Sequence, residues 1–303
     1  TNLLAHGCTA KGNYQIRFEL TWFRFMPNAK AISPWKDERF LTKFKGRKDM
    51  IEYAESRRIP IDVTLEEPYS TDENLMHISY EAGVLENIQN RPDEKMFRWT
   101  KSPKDAIDEE IEIKIKFHEG TPIQVVDVNG DRRITDCIKM IEYLNRVGGE
   151  CGIGRIDIVE DRCIGLKARC VYEAPAATIL IKAHREIESI TLDREVIETK
   201  ELISHLISKL IYDGLWYTPE MKMLMSAIHE SQKPVSGEVT LSLYRGNICV
   251  KSRDSPLSLY DKKLVSMDEE GDFDFQKVKG FIEIKSLRLR HMGEMHETLA
   301  EGI

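Results

Sequence analysis

The stretch that decides the fold is Gly7-Cys8-Thr9-Ala10-Lys11-Gly12-Asn13-Tyr14-Gln15-Ile16-Arg17-Phe18, which follows a short apolar run at Leu3-Leu4. Its two glycines leave the backbone free to adopt positive φ and to approach a ligand closely. The same stretch carries a hydroxyl, an ammonium, an amide and a guanidinium group, on Thr9, Lys11, Asn13 and Arg17. Together with successive backbone N–H groups, these side chains can bind a carboxylate or a phosphate. A polar turn between two strands is the alternative interpretation, because glycine-rich turns are common between elements.

This loop does not have the sequence of a Walker phosphate loop. Gly7 and Gly12 have the G-x-x-x-x-G spacing, but Asn13-Tyr14 stand where a lysine and then a serine or threonine are required. A second cluster contains four glycines, at Gly148, Gly149, Gly152 and Gly154. It follows a predicted helix and precedes a predicted strand, which is the reverse of a dinucleotide-binding loop. The cluster therefore predicts a tight helix-to-strand turn.

The composition is that of a soluble globular protein. Of its residues, 41% are hydrophobic and 31% are charged. The length of 303 residues is enough for one large domain or two ordinary ones. The net charge is −7, from 44 basic and 51 acidic side chains, and this argues against a nucleic-acid-binding surface. No apolar run approaches the roughly 18 to 20 residues that cross a bilayer. We therefore expect no nucleic-acid partner and no membrane partner.

The cysteine pattern predicts neither disulfides nor a metal site. The six residues are Cys8, Cys137, Cys151, Cys163, Cys170 and Cys249. None forms a C-x-x-C pair, and no histidine completes a zinc spacing. Scattered, reduced thiols in a chain of this length indicate a cytoplasmic protein. The chain starts at Thr1 and enters an apolar run almost at once, which is not a signal peptide and is typical of a sequence that begins partway through a fold.

Hydrophobic periodicity predicts a mixture of helices and strands. Helices are expected at 38–57, 135–147, 176–190 and 193–212. Strands are expected at 59–63, 111–117 and 124–128, with a hairpin at 239–252. The charged segment 86–109 is expected to be a surface connection. The apolar stripe on 193–212 predicts either core or a subunit interface.

Two acidic segments each have a structural and a functional interpretation. Ser70-Thr71-Asp72-Glu73 has the S-x-x-E form of a capping box, so Ser70 is expected to cap a turn. Glu160 shares a strand face with Ile156 and Ile158 by period-two counting, so its carboxylate points the same way as core residues and needs a partner. Candidate partners are a ligand cation, Arg155, Arg162 and Lys167. An internal ion pair and a ligand contact both remain open.

Several segments, in order along the chain, resemble signatures of the argininosuccinate synthetase family. They are GCTAKGNYQIRFE at 7–19, PYSTDENL at 68–75, GIGRIDIVE at 152–160, KAR at 167–169, VYEAP at 171–175, TLDR at 191–194 and SPLSLY at 255–260. The resemblance covers essentially all 303 residues. The family is a homotetrameric, cytoplasmic, ATP-dependent C–N ligase of arginine biosynthesis and the urea cycle. Its members condense citrulline with aspartate through citrullyl-AMP.

The resemblance implies a fold in three parts. Residues 1–62 look like an α/β remnant of an adenine-nucleotide α-hydrolase-like (ATP pyrophosphatase) domain. Residues 63–280 look like an α+β synthetase and multimerisation domain, and residues 281–303 like a C-terminal oligomerisation helix. ATP with Mg²⁺ is a substrate in the family, and no metal ligand from the protein is implied.

The resemblance also implies the site residues, position by position. Citrulline contacts fall on Asn13, Arg17, Ser70, Ser79, Glu160 and Tyr172. Aspartate contacts fall on Thr9, Asn13 and Tyr14. An ATP-phosphate loop falls on Gly7, Cys8, Thr9, Ala10, Lys11 and Gly12. The chemistry fits, since Arg17 suits a carboxylate, and Glu160 then has an α-ammonium group as its partner, which favours the ligand contact.

Three departures from the family pattern lead to a second hypothesis. The family's N-terminal loop, S-G-G-L-D-T-S, is absent, Tyr14 stands in place of an Asp, and Ala10 stands in place of a Gly. We therefore expect this chain alone not to bind ATP with Mg²⁺ and to be inactive. The first hypothesis is a synthetase that lacks its N-terminal segment. The alternative is an inactive, citrulline-binding subunit that forms a homotetramer or a hetero-assembly with full-length members.

Overall fold

The computed structural model describes residues 2–9, 11–61, 69–130, 132–267 and 273–301. Ala10 of the opening loop and residues 62–63 of a predicted strand lie outside this part. The chain divides into two compact units, Thr1–Leu259 and Tyr260–Ile303. All the predicted site residues belong to the first unit.

The first unit begins with two parallel strands joined by a helix. These elements are β1 (Leu3–Ala5), α1 (Tyr14–Phe25) and β2 (Lys30–Ile32). The rings of Tyr14, Phe18 and Trp22 stack in turn along α1, with centroids 6.4 and 6.3 Å apart. The interpretation of the opening stretch as a turn between two strands is therefore wrong. Aromatic residues at intervals of four lie on one face of a helix, which is the period that this segment adopts.

The helix predicted at 38–57 is broken into two. Its parts are α2 (Glu38–Lys43) and α3 (Arg47–Ser56). The backbone is extended at Gly46, where φ is −175°, and the rings of Phe44 and Tyr53 meet edge-on across the break. The strand predicted at 59–63 is wrong for residues 59–61, which form no strand. Pro60 has no N–H to donate to a ladder.

An antiparallel sheet of four strands follows, in the order β3-β4-β9-β8. The strands are β3 (Ser70–Glu73), β4 (Ile78–Glu81), β8 (Arg155–Asp161) and β9 (Lys167–Glu173). The capping-box interpretation of Ser70 is wrong, because this residue pairs with Glu81 of β4, and Asn74 instead caps the turn that follows. Ile156 and Ile158 are each 41% exposed on the edge strand β8. The expectation that Glu160 points the same way as core residues is therefore also wrong.

A small hydrophobic core supports this sheet. Its buried members are Ile78, Tyr80, Leu85, Met96 and Val171. Met96 and the buried Thr100 come from the segment 86–109. The prediction that this segment is a surface connection is therefore wrong in part, because Met96 belongs to this core and Thr100 is buried.

The larger core lies between a five-stranded antiparallel sheet and two helices. The sheet has the order β11-β10-β5-β6-β7, with β5 (Ile111–His118), β6 (Thr121–Asp127), β7 (Arg132–Ile134), β10 (Gly237–Tyr244) and β11 (Asn247–Asp254). The helices are α4 (Cys137–Glu150) and α5 (Pro175–Thr191). Residues Ile113, Leu144 and Ile179 are fully buried in the shared core. The strands predicted at 111–117 and 124–128, the hairpin at 239–252 and both helices are confirmed, whereas β7 was not predicted.

Two more helices complete the first unit. They are α6 (Arg194–Tyr212), which was predicted, and α7 (Pro219–Gln232). On the apolar stripe of α6, Ile207 is buried but Leu202 is 72% exposed. Most of this stripe is therefore not core within one chain. The second unit contains α8 (Lys262–Val265) and α9 (Phe275–Glu301).

Candidate active site

The opening loop leads directly into the N-terminus of α1. The Gly12 N–H donates to the carbonyl of Thr9 at 3.2 Å, and Asn13 is the residue before the first turn of the helix. A Cβ at Gly12 would lie 3.2 Å from Thr9 Oγ1, so a glycine allows the loop to fold this tightly. Neither Gly7 nor Gly12 is among the residues with positive φ, so the expected left-handed backbone is not used.

A chain of hydrogen bonds joins the end of this loop to Glu160. Asn13 Nδ2 donates to the hydroxyl oxygen of Tyr212 at 2.7 Å, and the Tyr212 hydroxyl donates to Glu160 Oε1 at 2.7 Å. The Tyr172 hydroxyl donates to the other oxygen, Oε2, at 2.8 Å. The Cys163 N–H donates to Asn13 Oδ1 at 3.0 Å and fixes the orientation of the amide. Residues from α1, β8, β9 and α6 thus meet at one point.

Arg17 belongs to the same cluster. Its Nε donates to the main-chain carbonyl of Tyr212 at 2.8 Å, and its guanidinium lies over the Tyr212 ring at 4.9 Å from the centroid. The same guanidinium lies 5.7 Å from the ring centroid of Tyr14. The predicted site residues Arg17 and Glu160 are therefore separated by one side chain, that of Tyr212.

The turn between β8 and β9 holds the opening loop in place. Arg162 donates from one Nη to the carbonyl of Lys11 at 2.9 Å and from the other to Glu81 Oε2 at 2.6 Å. The loop that precedes α1 is thereby tied to β4. None of the three cations suggested as partners of Glu160 pairs with it in the described residues. Arg155 pairs with Glu94, Arg162 with Glu81, and Lys167 with Asp161.

The two predicted serines lie on the neighbouring strands. Ser79 is opposite Tyr172 in the register of β4 and β9, and its hydroxyl is 3.4 Å from the carbonyl of Asp72. Ser70 begins β3, further along the sheet. The Tyr14 hydroxyl lies 3.4 Å from Asp72 Oδ2, so Tyr14 faces this sheet and does not point away from it.

The tyrosines at Glu160 stay protonated at neutral pH. Burial, the nearby Cys170 and the bond to Glu160 raise the pKa of Tyr172 far above its usual value. Burial and the same carboxylate raise the pKa of Tyr212 as well. Both phenols are therefore hydrogen-bond donors to Glu160 across the physiological pH range.

Sequence reasoning missed Tyr212. It ends the apolar stripe of a helix 199 positions after Asn13, and no motif or spacing in a single sequence connects the two. Among the described residues no group of three or more histidine, cysteine or acidic side chains is arranged to hold a metal ion. In the same part of the chain, no helix is both long and apolar enough to cross a membrane.

Comparison with known proteins identifies the family. Residues 1–60 match the model of the arginosuccinate synthase N-terminal HUP domain, and residues 69–292 match that of the C-terminal domain. The chain belongs to the argininosuccinate synthase family. These two matches confirm the resemblance that the motifs indicated. Argininosuccinate synthases are ligases of arginine biosynthesis. The HUP match and the mixed α/β structure also confirm the coarse fold class.

Individual argininosuccinate synthases resemble the chain along nearly its whole length. That of Thermotoga maritima is 51% identical over 99% of this chain and 72% of its own length. That of Mus musculus is 45% identical over 95% of this chain and 70% of its own length. That of Danio rerio is 44% identical over 95% of this chain and 69% of its own length.

Proposed function

We propose that this chain binds citrulline in the ATP-dependent condensation of citrulline with aspartate. In this reaction the ureido oxygen of citrulline attacks the α-phosphorus of Mg-ATP, and pyrophosphate leaves. The aspartate amine then attacks the ureido carbon of citrullyl-AMP, and AMP leaves with the electron pair of the C–O bond. Family membership supports the reaction. The protein's part in it is to position the reactants and to stabilise the charge that develops.

The proposal depends mainly on one observation, the environment of Glu160. Each oxygen of its carboxylate accepts one tyrosine hydroxyl, and among the described residues no cationic side chain pairs with it. A carboxylate has about four acceptor positions, so two remain for an ammonium group. Arg17 lies on the other side of Tyr212 and supplies a guanidinium for a carboxylate. These two charges together match the α-ammonium and α-carboxylate of an amino acid.

Isothermal titration calorimetry with citrulline tests this proposal. The unmodified chain is expected to bind, and Glu160→Gln is expected to weaken binding at least about 10-fold, because an ammonium group loses its carboxylate partner. The matched control is Asp161→Asn on the same strand, where the exposed carboxylate pairs with Lys167. A chain that does not bind citrulline, or a Glu160→Gln variant that binds it as tightly, would contradict the proposal.

We further propose that the loop at 7–12 is the part of the ATP-phosphate site that this chain supplies, and that this loop alone does not hold ATP. It ends at the N-terminus of α1, where backbone N–H groups and the helix dipole favour an anion. Mg²⁺ would arrive bound to ATP as part of the substrate. We assign the contacts to the second substrate, aspartate, to Thr9 within this loop and to Asn13 directly after it.

Tyr14 supports a second candidate function, that of an inactive citrulline-binding subunit. An aspartate amine would meet a neutral phenol here, although the Asp72 carboxylate lies 3.4 Å from the hydroxyl. Citrulline-dependent exchange of pyrophosphate into ATP measures the first step, and aspartate-dependent release of AMP measures the second. Exchange without AMP release, restored by Tyr14→Asp, would place the defect at this residue. Citrulline binding with neither activity would favour the inactive subunit.

We also propose a cytoplasmic tetramer, formed by this chain alone or with full-length relatives, with the parts 1–62, 63–280 and 281–303. The family matches at 1–60 and 69–292 support the first boundary. The exposed apolar side chains Leu202 and Leu206 on α6 support burial against another subunit. Light scattering is expected to give four times the mass of one chain, and a monodisperse monomer would contradict the assembly.

A further inference from the structure

Tyr212 contacts more of the proposed site than any residue implied by the family resemblance. It is the last residue of α6, and its side chain lies between Asn13, Arg17 and Glu160. Its main-chain carbonyl accepts from Arg17 Nε at 2.8 Å and lies 3.6 Å from Cys163 Sγ. One residue from the C-terminal family domain thus contacts both charged ends of the proposed pocket.

The direction of each hydrogen bond at Tyr212 follows from its neighbours. The Cys163 N–H requires an acceptor, so the oxygen of the Asn13 amide faces it and the NH₂ group faces Tyr212. An amide NH₂ can only donate, so the Tyr212 oxygen accepts from it. The phenol hydrogen is then left for Glu160 Oε1, 2.7 Å away. The two hydrogen bonds therefore run in one direction, with Asn13 donating to Tyr212 and Tyr212 donating to Glu160.

Resting on the proposed function, we infer that Tyr212 is a positioning residue that aims the Glu160 carboxylate at the α-ammonium group of citrulline. Tyr172 holds one carboxylate oxygen and Tyr212 the other, so the plane of the carboxylate is fixed from two sides. Without the Tyr212 hydroxyl, the carboxylate rotates about its last bond and its free acceptor positions leave the pocket. Burial and the Glu160 charge raise the pKa of Tyr212, so the donor is present throughout the neutral pH range.

The discriminating measurement compares two ligands by calorimetry. One is citrulline, and the other is 5-ureidopentanoate, the same molecule without its α-amino group. The preference is the ratio of the dissociation constant of 5-ureidopentanoate to that of citrulline. If Tyr212 acts through Glu160 on the ammonium group, this ratio is about 10-fold smaller in Tyr212→Phe, which is the effect of one charge-assisted hydrogen bond. A residue that only supports the fold would weaken both ligands equally and leave the preference unchanged.

Tyr217→Phe is the matched control. Tyr217 lies five positions further along the chain, is 47% exposed and packs its ring on Phe25, away from Glu160. This variant is expected to keep the full preference for citrulline. Glu160→Gln is a second arm that leaves the Tyr212 ring in place. It is expected to lose the preference, and adding Tyr212→Phe to it is expected to change the preference less than about twofold.

Each other outcome overturns the inference. Equal weakening of both ligands in Tyr212→Phe, failure of that variant to fold, or an unchanged preference would leave Tyr212 with a structural role or none. Additive effects of Tyr212→Phe and Glu160→Gln would show that Tyr212 does not act through the carboxylate. An unmodified chain that binds neither ligand overturns the proposed function itself, which separates that failure from one confined to Tyr212.

Discussion

Glu173 is a carboxylate with no exposed surface, next to Tyr172 at the end of β9. The backbone N–H groups of Arg98, Trp99 and Thr100 donate to it at 2.9, 2.9 and 2.7 Å. The hydroxyls of Tyr80 and Thr100 donate at 2.5 and 2.7 Å. These five donors replace the water that the buried carboxyl group loses, and they attach the segment around Trp99 to the sheet.

Glu173→Gln is expected to lower the free energy of unfolding by about 3 kcal/mol, because an amide NH₂ would face donors that have no other acceptor. Denaturant unfolding measures the change. The control is Glu195→Gln, whose exposed carboxylate lies 3.9 Å from Arg194 and is expected to matter by less than about 0.5 kcal/mol. Equal stabilities of the two variants would show that the buried carboxylate is not needed.

The thiols differ in their expected reactivity. Burial and the negative charge of Glu160 raise the pKa of Cys170 to about 11, and burial with Glu150 raises that of Cys151 to about 11. A raised pKa leaves about one thiolate in a thousand at pH 8, so alkylation should be slow and should accelerate about tenfold per pH unit. The exposed Cys249 is the internal comparison.

Mass spectrometry of iodoacetamide-treated protein at pH 8 measures this reactivity. Labelling at Cys151 and Cys170 is expected to be at least about 100-fold slower than at Cys249, and all should label together after denaturation. Fast labelling of Cys170 in the folded protein would contradict its placement.

At the candidate site, Arg17 and Glu160 were predicted before the structure was known, but Tyr212, which lies between them, was not. The residue types predicted an anion site in the opening loop and a cationic partner for Glu160, and only the resemblance assigned Arg17 and Glu160 to the same ligand. Tyr212 had no such signal, since a tyrosine that ends an apolar stripe looks like any amphipathic helix terminus. Its hydrogen bonds with Asn13 and Arg17 join residues that are 199 and 195 positions apart, and no local pattern in one sequence indicates such contacts.

At the scale of elements, Gly154 controls how β8 starts. Its φ is +100°, and a Cβ there would lie 2.5 Å from the backbone of Pro175 at the start of α5. Gly154→Ala is expected to cost at least about 3 kcal/mol of unfolding free energy, from left-handed strain plus a clash with backbone. Because β8 contains Glu160, citrulline binding should weaken as well.

Gly165→Ala is the matched control for this prediction. Gly165 has φ +81° in the β8–β9 turn, with open space where a Cβ would be. The Gly165→Ala substitution should therefore lower the free energy of unfolding by only about 1 kcal/mol, because it adds backbone strain without a clash. Thermal and denaturant unfolding of both variants measures the difference. Equal losses would show that the contact with Pro175 is unimportant.

Elements with strong periodicity were predictable, and those determined by distant packing were not. The strict alternation of β5 and the long stripes of α4, α5 and α6 are local signals, and each corresponds to an element of the structure. Ser70 has a capping sequence, yet β4 offers it a strand partner, so the tertiary context wins. In α1, the rings of Tyr14, Phe18 and Trp22 stack at intervals of four residues, which is the spacing of a helix.

At the scale of the whole molecule, the first compact unit should be self-sufficient. In the part of the chain that the structure describes, the two hydrophobic cores and the hydrogen bonds to Glu160 lie before residue 260. A variant ending at Leu259 is therefore expected to unfold cooperatively and to bind citrulline within about twofold of the full chain. Circular dichroism and calorimetry measure these properties. A truncated chain without a cooperative transition would show that the second unit is required for folding.

The hydrogen bond between Asn13 and Tyr212 has a consequence for biosynthesis. The two sides of the proposed citrulline site lie 199 positions apart in the sequence, so a nascent chain cannot form this site until the end of α6 has left the ribosome. Under the proposed function, we expect free citrulline to protect from protease only those nascent chains that already include Tyr212. Arrest of synthesis before and after Tyr212 emerges would therefore give ligand-insensitive and ligand-protected products.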